Sequence, residues 1–328
     1  MSPDLPAPLR AALDRALDGV PRRGLAVRAA RTSEAYRAGR PSSGVIREAD
    51  DALAYALTRL PATYAACATV LAEAARMAPG FAPGRLLDAG AGTGAASWAA
   101  LEVWPALEAL TWLDANPLFL ALAQQLAREG APALRSASPQ RGDLTTAGPW
   151  PQADLVVASY ALAEIVPDKQ TSTISELWAS CEGVLVLVEP GTPAGYGRIL
   201  AARAALIGAG ATILAPCPHE QACPLTGEDW CHFSVRLPRS RDHRQAKGAA
   251  VPFEDERFSY LIAARPDIAA APRTPRVLAP PRTAKPGIAL KLCGLEGQVE
   301  QRQVPKRDKP AYAVARRLGW GDALPEAP

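Results

Sequence analysis

Between residues 1 and 80, leucines recur at helical spacing in an alanine-rich background: Leu9, Leu13 and Leu17, then Leu53, Leu57 and Leu60, with Tyr55 among them. This period predicts a helical N-terminal region over 1–80, broken at Pro21, Pro41 and Pro61. From residue 85 the texture changes. Short apolar runs (RLLDAG, ALTWLD, DLVVASY, GVLVLVEP, ATILAPC and FSYLIAA) alternate with helical stretches. Alternation of this kind predicts a mostly parallel, doubly wound α/β sheet, assigned here to residues 81–265 with a cysteine-bearing insertion at 216–245. Residues 266–287 are rich in proline and arginine and read as a semi-extended connector within a basic C-terminal extension, 266–328.

A chain of 328 residues with a mean hydropathy of −0.03 buries a full core. No apolar run approaches the roughly 20 residues needed to span a bilayer, so no membrane partner is expected. The N-terminal segment has no apolar signal core, and its Asp4, Asp14 and Asp18 argue against an organellar presequence. The expectation is a cytoplasmic monomer. The net charge of +3 conceals a strong polarity along the chain. Residues 1–85 carry twelve Lys and Arg against eight acids, 86–233 six against fifteen, and 234–328 eighteen against ten. The basic C-terminal third places Arg236, Arg239 and Arg241, and later Lys306, Arg307 and Lys309, where a polyanion such as RNA could be gripped, with a solvated arginine-rich surface as the competing reading. Few aromatics interleave with them, so base stacking is not signalled and phosphate contact stays open.

The segment PCPHEQACPLTGEDWCHF (216–233) holds three of the six cysteines and two of the three histidines. Packing alone does not call for that concentration, and in a reducing compartment it points to a metal rather than a disulfide framework. Cys217, Cys223 and Cys231 are the local candidates, and Cys293 is a distant fourth that the fold must bring back. Four thiolates suit an iron–sulfur cube or tetrahedral zinc. The missing C-x2-C pair favours the cube, while His219, His232 and His243 are substitute ligands that would favour zinc. Cys67 and Cys181 read as plain buried thiols.

The first strand ends in LLDAGAGTG, where Gly90, Gly92 and Gly94 let the backbone turn tightly ahead of a helix. The letters also fit a dinucleotide fingerprint. Asp88 separates the two: a carboxylate there suits the cationic methionine amino group of S-adenosylmethionine and would repel a pyrophosphate. Asp114, closing the second strand, is placed for ribose hydroxyls, and Asp143 for the adenine amino group. For both, capping or turn formation is the competing role.

The run LLDAGAGTG, followed by SYALAEI, VLVEPGTPAGY, APCPHEQACPL, WCHFSVRLPRS and a late LCGLEG, resembles the Rsm22 family over about 45 to 320. The resemblance implies a class I S-adenosylmethionine methyltransferase (Rossmann-like) sheet with a metal-cluster-bearing C-terminal extension. It further implies association with the small ribosomal subunit and its rRNA during assembly, and a four-cysteine 4Fe-4S cluster. Carried onto this chain, the cluster ligands are Cys217, Cys223, Cys231 and Cys293. A catalytic group is not identifiable. After the fourth strand the chain reads Ser159, Tyr160, Ala161, without the acidic or asparagine residue and prolines of amino-directed nucleic-acid methyltransferases. Tyr160 and Glu164 are the polar groups that remain there. An rRNA methyltransferase and a binding factor on a methyltransferase scaffold are both consistent with the sequence, and so is a zinc-binding RNA-binding factor.

Overall fold

The computed structural model describes residues 4–37, 44–146 and 148–325. Three helices lead: α1 (Ala7–Leu17), α2 (Arg22–Arg37) and α3 (Ala49–Met77). The chain then runs through β1 (Arg85–Ala89), α4 (Ala95–Val103), β2 (Ala109–Asp114), α5 (Pro117–Ala127), α6 (Pro132–Arg135), β3 (Ser138–Arg141) and β4 (Ala153–Ser159). After a 3-10 turn at Leu162–Glu164 come α7 (Pro167–Ala179), β5 (Cys181–Pro190), α8 (Pro193–Gly208), β6 (Thr212–Ala215), β7 (Phe233–Pro238), α9 (Arg241–Lys247) and β8 (Phe253–Ala264). A second, smaller sheet follows: β9 (Arg276–Val277), β10 (Arg282–Thr283), β11 (Gly287–Cys293) and β12 (Val299–Pro305), then α10 (Lys309–Ala315).

The expected break at Pro61 does not occur, because α3 runs through it. Of its 29 residues 19 are buried, and tertiary packing on that scale outweighs the local penalty of an internal proline. The expected break at Pro41 lies outside the described residues. Asp51 opens α3 by accepting from the backbone N–H groups of Arg47 and Glu48, and it also pairs with Arg28 and Arg31 of α2. One buried carboxylate thus caps α3 and fastens α2 to it.

The main sheet has the order β3-β2-β1-β4-β5-β8-β6. Its first five strands are parallel and β8 is reversed against β5, the class I methyltransferase arrangement. Helices α3 to α5 cover one face, where Trp112, Tyr64 and Leu126 are buried, and α7 and α8 cover the other. β6 and β7 share the far edge of β8, β6 along Ile262–Ala264 and β7 along Phe253–Phe258. The cysteine segment leaves the sheet through the gap between them. The smaller sheet has its own core of Val277, Ile288, Leu290 and Leu292, with Ala315 of α10 packed on it.

Candidate functional site

The glycine loop after β1 requires glycine because Gly90, Gly92 and Gly94 all have positive φ, at 75°, 53° and 81°. A Cβ at Gly90 would fall 2.7 Å from that of Ala161, whereas beside Gly92 the space is open. Asp88 is 0% exposed. Its Oδ2 accepts from the backbone N–H of Ser97 (3.1 Å) and from the Ser97 hydroxyl (2.7 Å), while Oδ1 has no partner. Burial pushes its pKa to about 7, against the opposing pull of the Ser97 bonds. Asp114, 8% exposed, accepts from the N–H of Gly92 and of Asn116, both at 2.8 Å, so the end of β2 holds the loop in shape. Asp143 is exposed and accepts from the N–H and hydroxyl of Thr145, an Asx turn.

The Asp88 carboxyl carries a pH dependence. An unfolded aspartate ionises near pH 4, so between about 4 and 7 the folded chain holds a proton that the unfolded chain has released. The stabilisation is present below that window and is lost as pH rises through 7. Asp88→Asn, neutral throughout, is expected to melt progressively above wild type as pH is raised from 5 to 8 in thermal unfolding. Glu189, pushed to about 7 by burial despite the opposing pull of Arg198, leaves a residual slope of the same sign. A constant gap between variant and wild type would contradict this assignment.

At the end of β4, Tyr160 is the one non-glycine residue with positive φ (59°) among those described, a conformation costing about 1–2 kcal/mol. Its N–H donates to Val188 and its hydroxyl to Glu256 Oε1 at 2.8 Å. Arg59 of α3 lies 3.3 Å from the same oxygen. Sequence reasoning missed Glu256 and Arg59, which stand 197 positions apart. Glu164 lies in the following 3-10 turn.

The four cysteines of the sequence reading converge. Cys217, Cys223, Cys231 and Cys293 line a single cavity. Ser259, in the stretch of β8 between the two edge strands, donates to the carbonyl of Cys231 at 2.8 Å. The second sheet brings Cys293 in at the end of β11. Burial pushes the Cys293 thiol to about 12 and that of Cys231 well up, and neighbouring cysteines add to both shifts. Without a cation these groups stay protonated, so metal binding must expel protons. Among the described residues no group of three or more His, Cys, Asp or Glu is arranged to hold a single metal ion. Around the cavity, the Tyr196 hydroxyl is 3.1 Å from Cys223 Sγ and His219 Nε2 is 3.3 Å from Cys293 Sγ. The other histidines serve elsewhere: His232 stacks on Trp230 and meets Trp320 edge-on, and His243 lies 3.3 Å from Glu254.

The second sheet is fastened beside this cavity. Arg276, 4% exposed, donates to Pro216 O and Gly321 O and pairs with Glu73 of α3 at 2.6 Å. Lys291 of β11 pairs with Asp229 of the cysteine segment. Of the cations proposed for RNA, Arg236 is paired with Asp255 across β7 and β8 and lies over Phe253, and Arg239 is paired with Glu254. Arg241, Lys306, Arg307 and Lys309 are exposed. The Lys306 N–H donates to Pro286 O, which adds the exposed Lys285 to the same end of the second sheet. No helix among the described residues is long and apolar enough to cross a membrane.

The chain is 30% identical over 292 residues (83% of its length) to the human "Ribosome assembly protein METTL17, mitochondrial". It is 26% identical over 287 residues to the Rsm22-cox11 tandem proteins 1 and 2, mitochondrial, of Schizosaccharomyces pombe, covering 73% of this chain. It spans 62% and 38% of the lengths of these relatives. Among solved structures it is similar to the Synechocystis PCC 6803 magnesium protoporphyrin IX methyltransferase with bound SAM (17% identity, TM-score 0.42, 67% of this chain and 85% of that one). Human N-acetylserotonin methyltransferase gives 14% identity and a TM-score of 0.42, covering 71% of this chain and 65% of that one. The model of the family described as "Mitochondrial small ribosomal subunit Rsm22" matches residues 49–325. The chain belongs to the Rsm22 family.

Proposed function

We propose that this protein is an assembly factor of the small ribosomal subunit. In this reading it binds the subunit's rRNA as a monomer in the cytoplasm, although its curated relatives are named as mitochondrial. The observation that carries the reading is the convergence of four cysteines on one cavity in a chain 30% identical to a ribosome assembly protein. The methyltransferase-type sheet is the scaffold. The unpartnered Asp88 Oδ1, the open space beside Gly92 and the carboxylate of Asp114 fit S-adenosylmethionine as its ligand.

The four thiols fit a 4Fe-4S cluster, which would fasten the second sheet to the first. Zinc is the alternative metal, and it needs four donors at about 2.0–2.3 Å from one point. A cube gives each thiolate a different iron and spreads the sulfurs wider. The four cysteines that line one cavity supply thiolates for either. The rise along β11, six steps of about 3.3 Å, separates Gly287 and its partner Pro305 from Cys293 by roughly 20 Å, and Lys306, Arg307 and Lys309 follow Pro305. The cavity would thereby hold a basic tip in a fixed place.

Affinity for small-subunit RNA is expected to fall linearly with salt on logarithmic axes as the cations displace counterions. Replacing Lys306, Arg307 and Lys309 together by alanine should reduce that slope by about 2 to 3, read by filter binding. An unchanged slope would remove the tip from the interface. A second reading, an active rRNA methyltransferase, is favoured by the intact loop and by Asp88. Against it, the Tyr160 hydroxyl is already engaged by Glu256. Transfer of labelled methyl to immature subunits, lost in Asp88→Ala, would establish that second reading.

A further inference from the structure

We infer that Arg203 is the counter-charge and hydrogen-bond donor of the metal–thiolate group in the cysteine cavity, an assignment that rests on the reading that these cysteines hold a metal. Arg203 stands on the face of α8 that carries Tyr196, Ile199 and Leu200 to the cavity wall. It is 5% exposed. A charge so buried is destabilising unless it is compensated, and the other arginines nearby have carboxylates: Arg198 pairs with Glu189 and Arg276 with Glu73. Among the described residues no carboxylate pairs with Arg203. Its Nη2 donates to His219 O at 2.7 Å, and its buried Nε has no partner at all.

The anion that completes Arg203 therefore has to come from the cavity it lines. Four cysteines supply it once a metal has displaced their protons, because a thiolate-ligated zinc or 4Fe-4S group is anionic overall. The unpartnered Nε–H is then a donor to sulfur, and hydrogen bonds to sulfur together with nearby charge are what set a cluster's potential and retention. Through His219 O the same guanidinium also holds the backbone between Cys217 and Cys223. A purely structural role would end there.

The test uses the full chain purified anaerobically as wild type, Arg203→Gln and Arg203→Lys, with folding checked by circular dichroism. Metal release to excess chelator is followed in each, and for the iron–sulfur form the midpoint potential is read by a redox titration. Arg203→Gln is expected to release metal at least tenfold faster. Its potential should shift downward by a tenfold change in the oxidised-to-reduced ratio, about 59 mV for one electron, since the lost positive charge favoured the reduced form. Wild-type release and potential in a folded Arg203→Gln would overturn the inference. Should that variant fail to fold, Arg203→Lys decides the matter: faster release supports the Nε donor and wild-type release overturns it. A wild-type chain without metal would instead overturn the reading beneath it.

Discussion

If the four cysteines hold a metal as proposed, Cys293→Ser is expected to abolish its binding and free the second sheet from the first. Cys293 closes β11 and pairs with Val299 of β12 and Arg276 of β9, so its thiol is held by the sheet it belongs to. The other three thiols come from the segment that leaves the main sheet between β6 and β7. In the proposed reading, a metal across that junction would supply cross-linking energy that neither sheet has alone, and structural sites of this kind contribute on the order of 10 kcal/mol. Serine keeps the shape and loses the ligand. Metal content, measured on anaerobically purified protein, should fall below a tenth of wild type. Residues 276–324 should also gain hydrogen exchange well ahead of β1, β4 and β5. An ordinary buried cysteine would instead cost about 1 kcal/mol, with metal unchanged, and that outcome would remove Cys293 from the ligand set.

Arg276→Met is the second large effect, expected at about 3 kcal/mol. The guanidinium joins Glu73 of α3, Pro216 beside the first cysteine and Gly321 near the C-terminal turn, all in one buried place. Methionine fills much of the volume but leaves the buried Pro216 carbonyl and the half-buried Gly321 carbonyl without this donor. Glu73 keeps Arg76, two bonds at 2.7 Å, which prevents the larger penalty of an isolated buried carboxylate. The loss should be read in urea unfolding at matched metal content. A change under 0.5 kcal/mol, within the usual range of surface substitutions, would show that the contacts do not bear on the junction.

What the sequence made legible follows from how local each signal is. The glycine loop and Asp88 were readable because a tight turn and its glycines lie within a few residues. The central strands were readable because their runs are apolar on both faces. β3 was not, since SPQR is exposed throughout, and β12 was not, since VEQRQVP buries only Val304. With two residues each, β9 and β10 carry no period at all. The cysteine set was visible by residue type, but what brings Cys293 back is the Arg276, Lys291 and β11 geometry, which has no sequence signal. Charge counting placed Arg236 and Arg239 among candidate RNA contacts, but strand register sets Arg236 opposite Asp255, and Arg239, just past the end of β7, pairs with Glu254. Tyr160 was picked out by position alone. Its Glu256 and Arg59 partners arrive from β8 and α3, where no spacing rule reaches.

The most direct test of the account is co-sedimentation of anaerobically purified, metal-replete protein with immature small ribosomal subunits. The account predicts that the wild-type chain travels with the subunits at moderate salt and that Cys293→Ser does not. Metal-replete wild type that stays at the top of the gradient would contradict it.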